Sequence, residues 1–289
     1  MVRRVWQICF ELGLILFGII LVSATSALFE GQTFSLHRFF VVLMDVGEEL
    51  LTPQAIIYEN PSSGVERSLF PIIFLAYWSS IRIFFLALVI SILLSTILLI
   101  GYYSLGEYFR KGIQKVGFLI GSLPDLFVIA LFQLGIVWYF KQTGILILDV
   151  ASVGENQVIL LPAITLCILP TFFFFTNMIV FLKDEEGKPY IELAKSKGLG
   201  RFTILFSHTI RNVLISLTYH GKQIVWMMLS NLLVLEYLFN VFGVTSFLFS
   251  YNQPSIFAIT SILLFIPLYL VLKSLQALIG KKIGKEMSL

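Results

Sequence analysis

Residues 77–101 read YWSSIRIFFLALVISILLSTILLIG, a run of 25 residues in which Arg82 is the only charged side chain. An α-helix needs about 20 consecutive apolar residues to cross the hydrocarbon core of a bilayer. Because the run is long and apolar enough, it predicts a transmembrane helix. Arg82 lies near one end, from which a long side chain can reach the membrane interface.

Similar stretches occur on both sides of this run. Of the 289 residues, 58% are hydrophobic and 13% are charged, whereas soluble domains contain about 45–50% apolar and about 25% charged residues. This composition excludes a soluble enzyme and a disordered regulator, and a net charge of +3 is too small to indicate nucleic-acid binding. The sequence therefore predicts an all-α, polytopic membrane protein with six transmembrane helices. Besides 77–101, these helices are predicted at 6–28, 116–140, 158–182, 216–240 and 255–278.

Positively charged residues indicate the orientation of these helices. Fourteen of the twenty Lys and Arg residues lie in the two termini and in the loops that follow the second and fourth predicted spans. Only Arg38, Arg67 and Lys141 lie in the opposite set of loops. Since cytoplasmic segments carry the excess of Lys and Arg, both termini are predicted to be cytoplasmic, N-in and C-in.

Two connections between the spans are long. Residues 29–76 carry six acids and a group of turn formers at 60–64, which predicts a small folded extracytoplasmic segment, with an ordinary solvated loop as the alternative. Residues 183–215 form a loop on the predicted cytoplasmic side. Without an internal repeat or a linker, residues 1–289 are expected to form a single membrane domain.

The 183–215 loop has the pattern of a helical hairpin. Pro189 is placed where a helix can begin, and Glu192 would lie in its first turn, where the helix dipole favours an acid. These signals predict a helix at about 190–197. Gly198 and Gly200 then provide the permissive backbone of a tight turn.

A second helix is predicted after this turn, because apolar or small residues recur at the i, i+3, i+4, i+7 spacing of a helix face. No membrane span accounts for this face, so it predicts a docking surface for another protein, with a solvated hairpin as the alternative. The face consists of Phe202, Leu205, Phe206 and Thr209.

At these residues the chain resembles a known family. Glu192-Leu193-Ala194, followed after three residues by Gly198, is similar to the EAA motif of permease subunits of bacterial ABC importers. A wider set of residues resembles the oligopeptide/dipeptide/nickel permease family, namely Tyr190, Ala194, Lys197-Gly198-Leu199, His208 and Arg211-Asn212. In that family this loop couples transport to a separate ATPase. The resemblance implies ATPase-coupling roles for Tyr190, Glu192, Ala194, Lys197, Gly198, Phe202, His208 and Asn212.

Two positions and one short stretch depart from the pattern of that family. Leu193 replaces the second alanine of the motif, Ser216 stands where a proline often occurs, and the acidic stretch 184–187 replaces a basic approach to the loop. These departures leave the identity of the ATPase open, while the docking role is retained.

The resemblance also implies an architecture and a set of partners. It implies a type I ABC importer-like permease fold in the bacterial cytoplasmic membrane, which imports peptides or similar small solutes. The implied partners are two ABC ATPase subunits on the cytoplasmic side, a second homologous permease subunit, an extracytoplasmic substrate-binding protein and the lipid bilayer, but no nucleic acid. The sequence contains no Gly-x4-Gly-Lys-Ser/Thr motif, so no cofactor is expected in this chain, and ATP and Mg would be bound by the partner ATPase.

Catalytic and metal-binding patterns are absent from the sequence. Cys9 and Cys167 lie in apolar stretches, and the three histidines are scattered without an HExxH pair. Neither a catalytic residue nor a metal centre is therefore predicted.

Polar residues within the predicted spans are candidates for the translocation pathway, because an amide or an acid in hydrocarbon usually faces protein or water. Asp125 follows Pro124, so it is either a pathway residue or the first residue of a helix segment that restarts there. Glu236, Phe239 and Gly243 resemble an external scoop of the family, and a structural role is favoured for Glu236. The pathway candidates are Asp125, Gln133, Asn177, Gln223 and Asn231.

Two other functions fit parts of the sequence. An ion-coupled secondary carrier would use Asp125 or Glu236 as a proton site and would transport without ATP. A membrane scaffold or sensor would use the hairpin as an output surface and would carry no solute.

Overall fold

The computed structural model describes residues 2–29, 34–59, 64–145, 148–149, 151–152, 157–251 and 253–283, with the backbone alone at 2–5, 219–220 and 278–283. The described residues are mostly helical. Their helices are α1 (Val2–Ala24), α2 (Leu36–Leu51), α3 (Ile72–Ser104), α4 (Glu107–Gly121), α5 (Asp125–Thr143), α6 (Leu160–Glu186), α7 (Pro189–Ser196), α8 (Arg201–Ile204), α9 (Ile210–Leu238), α10 (Val244–Ser250) and α11 (Pro254–Ile283). Short strands β1 (Ile57–Glu59) and β2 (Glu66–Ser68) lie between α2 and α3.

Among the described residues, five helices are long and apolar enough to cross a membrane, namely Trp6–Phe29, Ile72–Ser104, Asp125–Thr143, Leu160–Glu186 and Pro254–Ala277. The predicted span at 216–240 falls on α9, which has 29 residues. Polar residues such as Lys222, Gln223 and Asn231 interrupt its apolar sequence, and α9 is not one of the five. The number of six spans stays a prediction.

The predicted span at 116–140 is not one continuous helix. α4 ends at Gly121, and α5 begins at Asp125 after a break. Pro124 is the N-cap of α5 and has an extended backbone (φ −60°, ψ 136°). The α conformation is also unfavourable for the residue that precedes a proline. The helix in this region that is long and apolar enough to cross a membrane is Asp125–Thr143, and Asp125 is the first residue of a helix that restarts there.

A small sheet corrects the prediction of an all-α fold. β1 and β2 pair antiparallel, with Tyr58 opposite Arg67. Tyr58 is buried and packs edge-on against Phe247 and Tyr251, with ring centroids 5.8 and 4.9 Å apart. Isoleucine and tyrosine favour strands, but a strand of three residues is too short to be distinguished by its periodicity. The 29–76 segment thus contains a helix and a two-stranded sheet, while residues 30–33 and 60–63 lie outside the described residues.

The described chain divides into two compact units. The first consists of Met1–Ser80 and Val241–Val271, and it contains α1, α2, the two strands and α10. Ile19, Val46 and Ala258 are buried together in its interior. In the same unit, the hydroxyl of Tyr269 donates a hydrogen bond to Glu11.

The second unit consists of Ile81–Asn240 and Leu272–Leu289 and contains the predicted functional segments. α6 is its central helix, and α4, α5 and α9 pack against it. Gly117 of α4 faces α6, where a Cβ atom would lie 3.5 Å from the Phe175 ring and 3.7 Å from Thr176. A Cβ atom at Gly121 would have no neighbour within 4 Å among the described residues. Gly117 therefore serves helix packing within this chain.

We expect Gly117→Leu to destabilise the protein by about 1–3 kcal/mol, because a Cβ atom there is already in van der Waals contact with Phe175 and Thr176, and the atoms beyond it would crowd the packing of α4 on α6. The midpoint of thermal unfolding in detergent would measure the effect. Gly121→Leu is the matched control, and it should leave the midpoint unchanged or raise it slightly, since leucine is the better helix former. An equal decrease of the unfolding midpoint in both variants would contradict this packing role.

Candidate functional site

The 183–215 loop folds as two short helices that follow α6 directly. α6 ends at Glu186, Gly187 and Lys188 form the connection, and Pro189 is the first residue of α7. Proline suits this position because its fixed φ matches a helix and its missing N–H would have no intrahelical partner there. The predicted helix at about 190–197 is confirmed as Pro189–Ser196.

The inner face of this loop is a small apolar cluster. Ile191 and Ala194 of α7 pack against Ile204 of α8, and all three are buried. The carbonyl of Ala194 also accepts a hydrogen bond from the Leu199 N–H, at 3.2 Å. Ala194 therefore lies where two helices approach closely, which favours a small side chain. We refer to residues 188–212 as the hairpin.

The turn of the hairpin depends on Gly198. Its φ of +77° lies in the left-handed region, which L-residues other than glycine adopt at a cost. In this conformation the Gly198 N–H reaches the Lys195 carbonyl at 3.0 Å and closes the end of α7. Gly200 has an ordinary φ of −65° and caps α8.

The segment after the turn differs from the predicted regular second helix. α8 has four residues and passes through a π-helical turn, Leu205–Thr209, into α9. Leu205 and Thr209 are buried, whereas Phe202 and Phe206 are 50% and 54% exposed. The predicted four-residue outer face is therefore wrong, because the wider turn directs two of its members into the protein and two outward.

The hairpin exposes both apolar and charged side chains. Four of its exposed side chains are apolar, and we call them the apolar ridge: Leu193 (56% exposed), Leu199, Phe202 and Phe206. The Phe202 ring also contacts Tyr103 of α3, with the ring centroids 6.2 Å apart. Exposed charged residues on the same two helices and their turn are Glu192, Lys195, Lys197 and Arg201.

A buried carboxylate joins the hairpin to α6 and α9. Glu185, 4% exposed in the last turn of α6, accepts hydrogen bonds from the Lys188 ammonium and the Tyr190 hydroxyl. It also accepts one from the Asn212 amide, at 3.3 Å. The same amide donates to the Tyr190 oxygen at 2.9 Å. We call Glu185, Lys188, Tyr190 and Asn212 the Glu185 network.

The ionisation of Tyr190 fits its role as a donor in this network. Burial raises the pKa of the Tyr190 phenol above its ordinary value, and the hydrogen bond to the Glu185 carboxylate raises it further. The phenol is therefore protonated at neutral pH and can donate to the carboxylate. His208 lies beside Tyr190, with the ring centroids 6.3 Å apart.

The structure brings several of the predicted coupling residues together and adds one. Tyr190 and Asn212 both donate hydrogen bonds to Glu185, and His208 lies beside Tyr190. Ala194 belongs to the apolar cluster of the same hairpin. Sequence reasoning missed Glu185 as a site residue. The available signal was an acid at the end of an apolar helix with a lysine three residues later, because an acid there is costly unless a cation or a hydrogen-bond donor lies close by.

Two of the five predicted pathway residues lie close together. Asp125 at the start of α5 and the buried Asn231 of α9 line one small cleft, with Thr165 of α6 on its wall. Asn177 instead donates to the Phe173 carbonyl of its own helix at 2.8 Å. The remaining two are separate from the cleft: Gln133 donates to the Leu238 carbonyl at 3.3 Å, and Gln223 is exposed.

The predicted scoop residues lie at the end of α9 and just after it. Glu236 and Phe239 are buried, at 1% and 0% exposure, which fits a structural position. The Phe239 carbonyl accepts a hydrogen bond from the Ser152 N–H at 3.0 Å. Gly243 follows along the chain as the N-cap of α10.

Comparison with known proteins places the chain in a family. It is 23% identical over 145 residues to proteins of Brucella abortus, Brucella suis and Brucella melitensis that carry the provisional name peptide transport system permease protein. Each match covers 49% of this chain, and the chain spans 46% of the length of each relative. The family described as "Binding-protein-dependent transport system inner membrane component" matches residues 3–285. The chain belongs to this family, and it is a permease component of the inner membrane with several membrane-spanning helices and not itself an enzyme.

Proposed function

We propose that this chain forms half of the translocation pathway of an ATP-driven ABC importer for peptides or similar small solutes. A second homologous permease subunit would form the other half, and an extracytoplasmic binding protein would deliver the solute. The hairpin carries this proposal, because it exposes the apolar ridge together with charged side chains on two short helices that pack on a buried apolar cluster.

The apolar ridge has the chemistry of a protein docking site. An exposed apolar group surrounded by polar residues marks an interaction surface. Its partner on the cytoplasmic side would be one of two ABC ATPase subunits, which bind ATP and Mg. The exposed charges of Glu192, Lys195 and Lys197 would select the matching surface of that ATPase, because complementary charges disfavour wrong partners.

The Glu185 network would allow the hairpin to transmit movement to α6 and α9. It fixes α7 to the end of α6 and the beginning of α9 through hydrogen bonds to one carboxylate. A displacement of the docked hairpin would therefore be passed to α6 and α9. ATP binding can shift the permease between inward-open and outward-open states only if the ATPase binds the two states with different affinity.

A topology of six spans with cytoplasmic termini agrees with this arrangement. α9 would be the additional span, and the hairpin would lie on the cytoplasmic side with most of the Lys and Arg residues. The cleft at Asp125 and Asn231 is a candidate for part of the pathway, since polar groups in spans usually face protein or water. Peptides are proposed as the solute because of the names of the distant relatives.

Glu192→Lys tests the docking role. We expect it to lower ATP-dependent uptake of a labelled peptide at least about tenfold in proteoliposomes that contain both permeases, the ATPases and the binding protein, because reversal of a charge at a protein interface costs several kcal/mol. Glu107→Lys is the matched control, since it makes the same change of charge at an exposed position of α4, outside the hairpin. Uptake that persists in Glu192→Lys would contradict the docking role, and uptake without ATP would contradict the ABC importer.

A further inference from the structure

Helix α4 lies outside the hairpin, and the proposed docking of an ATPase does not account for its features. Its 15 residues combine an apolar side with a cationic one. Arg110 bonds within the chain, because its guanidinium donates to the carbonyls of Tyr102 and Tyr103 at 3.1 and 2.5 Å. It also lies over both tyrosine rings, 5.3 and 5.6 Å from their centroids. The start of α4 is thereby fixed to the end of α3, and Gly117 fixes its other half to α6.

An open groove lies between these three helices, within the second unit. Its volume is about 710 Å³. Leu98 of α3 and Phe172 and Phe175 of α6 form its far walls, and Val116 and Ile120 of α4 form the near wall. The groove is formed by helices that are already fixed to one another, so it requires no ligand to shape it.

Two lysines of α4 line this apolar groove. Lys111 and Lys115 are four residues apart, so they lie on the same face of the helix. Like charges at this spacing repel each other, and both side chains are exposed. Among the described residues, neither lysine makes an ion pair or a hydrogen bond to an acid that would offset the repulsion. An anion bound between the two lysines would offset this repulsion.

We propose that this groove binds an anionic phospholipid, with an acyl chain between α3, α4 and α6 and the phosphate between Lys111 and Lys115. Basic pockets between membrane helices bind lipid headgroups in this way. A protein partner fits the groove less well, because lysine is depleted from protein interfaces relative to the rest of the surface. The proposal depends on the membrane location of the chain and is independent of the transported solute.

Native mass spectrometry of the purified permease complex would test the site. The complex is incubated with phosphatidylglycerol or with phosphatidylcholine of identical acyl chains, and the lipid that stays bound is counted. The wild-type complex should retain the anionic lipid in at least about tenfold preference, since each lysine contributes to the attraction. The Lys111→Gln/Lys115→Gln variant should lose this preference.

Two further variants separate charge from shape. Lys141→Gln/Lys183→Gln removes the same net charge at exposed positions outside the groove and should retain the preference. Ile120→Trp fills the apolar part and should lower retention although both lysines remain. Thermal unfolding would verify that every variant is folded. Unchanged lipid retention in Lys111→Gln/Lys115→Gln would overturn the proposal, as would a cross-link to the second permease from a photoreactive amino acid placed at Val116.

Discussion

Gly198→Val should lower ATP-dependent uptake at least about tenfold while the protein stays inserted in the membrane. The φ of Gly198 is +77°, and an L-residue in the left-handed region costs about 1–2 kcal/mol, more when it is β-branched. Valine would therefore open the turn between α7 and α8 and displace Leu199, Phe202 and the other members of the apolar ridge. Uptake and ATPase stimulation by the binding protein in proteoliposomes would measure the loss of coupling.

Asparagine provides the matched control at this position, because it tolerates the left-handed conformation better than other residues with a side chain. A Cβ atom at Gly198 would have no neighbour within 4 Å among the described residues, so Gly198→Asn should retain most of the uptake. Gly200→Ala should also be close to wild type, since the φ of Gly200 is −65°. Equal loss in Gly198→Val and Gly198→Asn would contradict backbone strain as the cause.

Glu185→Gln should release the hairpin from α6 and α9. The carboxylate accepts hydrogen bonds from Lys188, Tyr190 and Asn212, and an amide in its place offers a single neutral acceptor oxygen. Hydrogen bonds to charged groups contribute about 1.5–3 kcal/mol each. The half-exposed Lys188 contributes less because water screens it.

A local loss of about 2 kcal/mol would speed opening of residues 188–212 by about 30-fold. Hydrogen–deuterium exchange of the purified protein would measure this opening, and peptide uptake should decrease in parallel. Asp184→Asn is the matched control, because Asp184 is exposed one residue earlier in the same helix. Unchanged exchange in Glu185→Gln would show that the network does not hold the hairpin.

The local parts of the site could be predicted from the sequence. Pro189 at the start of α7, Glu192 in its first turn and Gly198 in the turn act through residues within a few positions of one another. Pro124 also indicated the break before α5. The sequence did not indicate that this break would move the boundary of the predicted span. Such signals are visible in sequence because helix starts, turns and breaks depend mainly on the backbone preferences of single residues.

The apolar ridge could not be predicted with the same accuracy. A regular helix would place Phe202, Leu205, Phe206 and Thr209 on one face, but the π-helical turn changes the angle between them. Which of these side chains becomes buried depends on the helices against which the turn packs. Periodicity describes an isolated element, so it cannot distinguish a face that docks a partner from one that packs inside the protein.

By itself, the sequence determined that this protein lies in a membrane, because the transfer of apolar stretches into hydrocarbon depends on their composition and length alone. It also determined the position of α7 and its turn. Only the tertiary structure decided that Glu185 joins α6, α7 and α9, since its contact with Asn212 connects residues 27 positions apart. The same holds for the lysine-lined groove, which exists because three helices pack around it. Contacts between distant residues follow from how helices pack, and no local pattern specifies that packing.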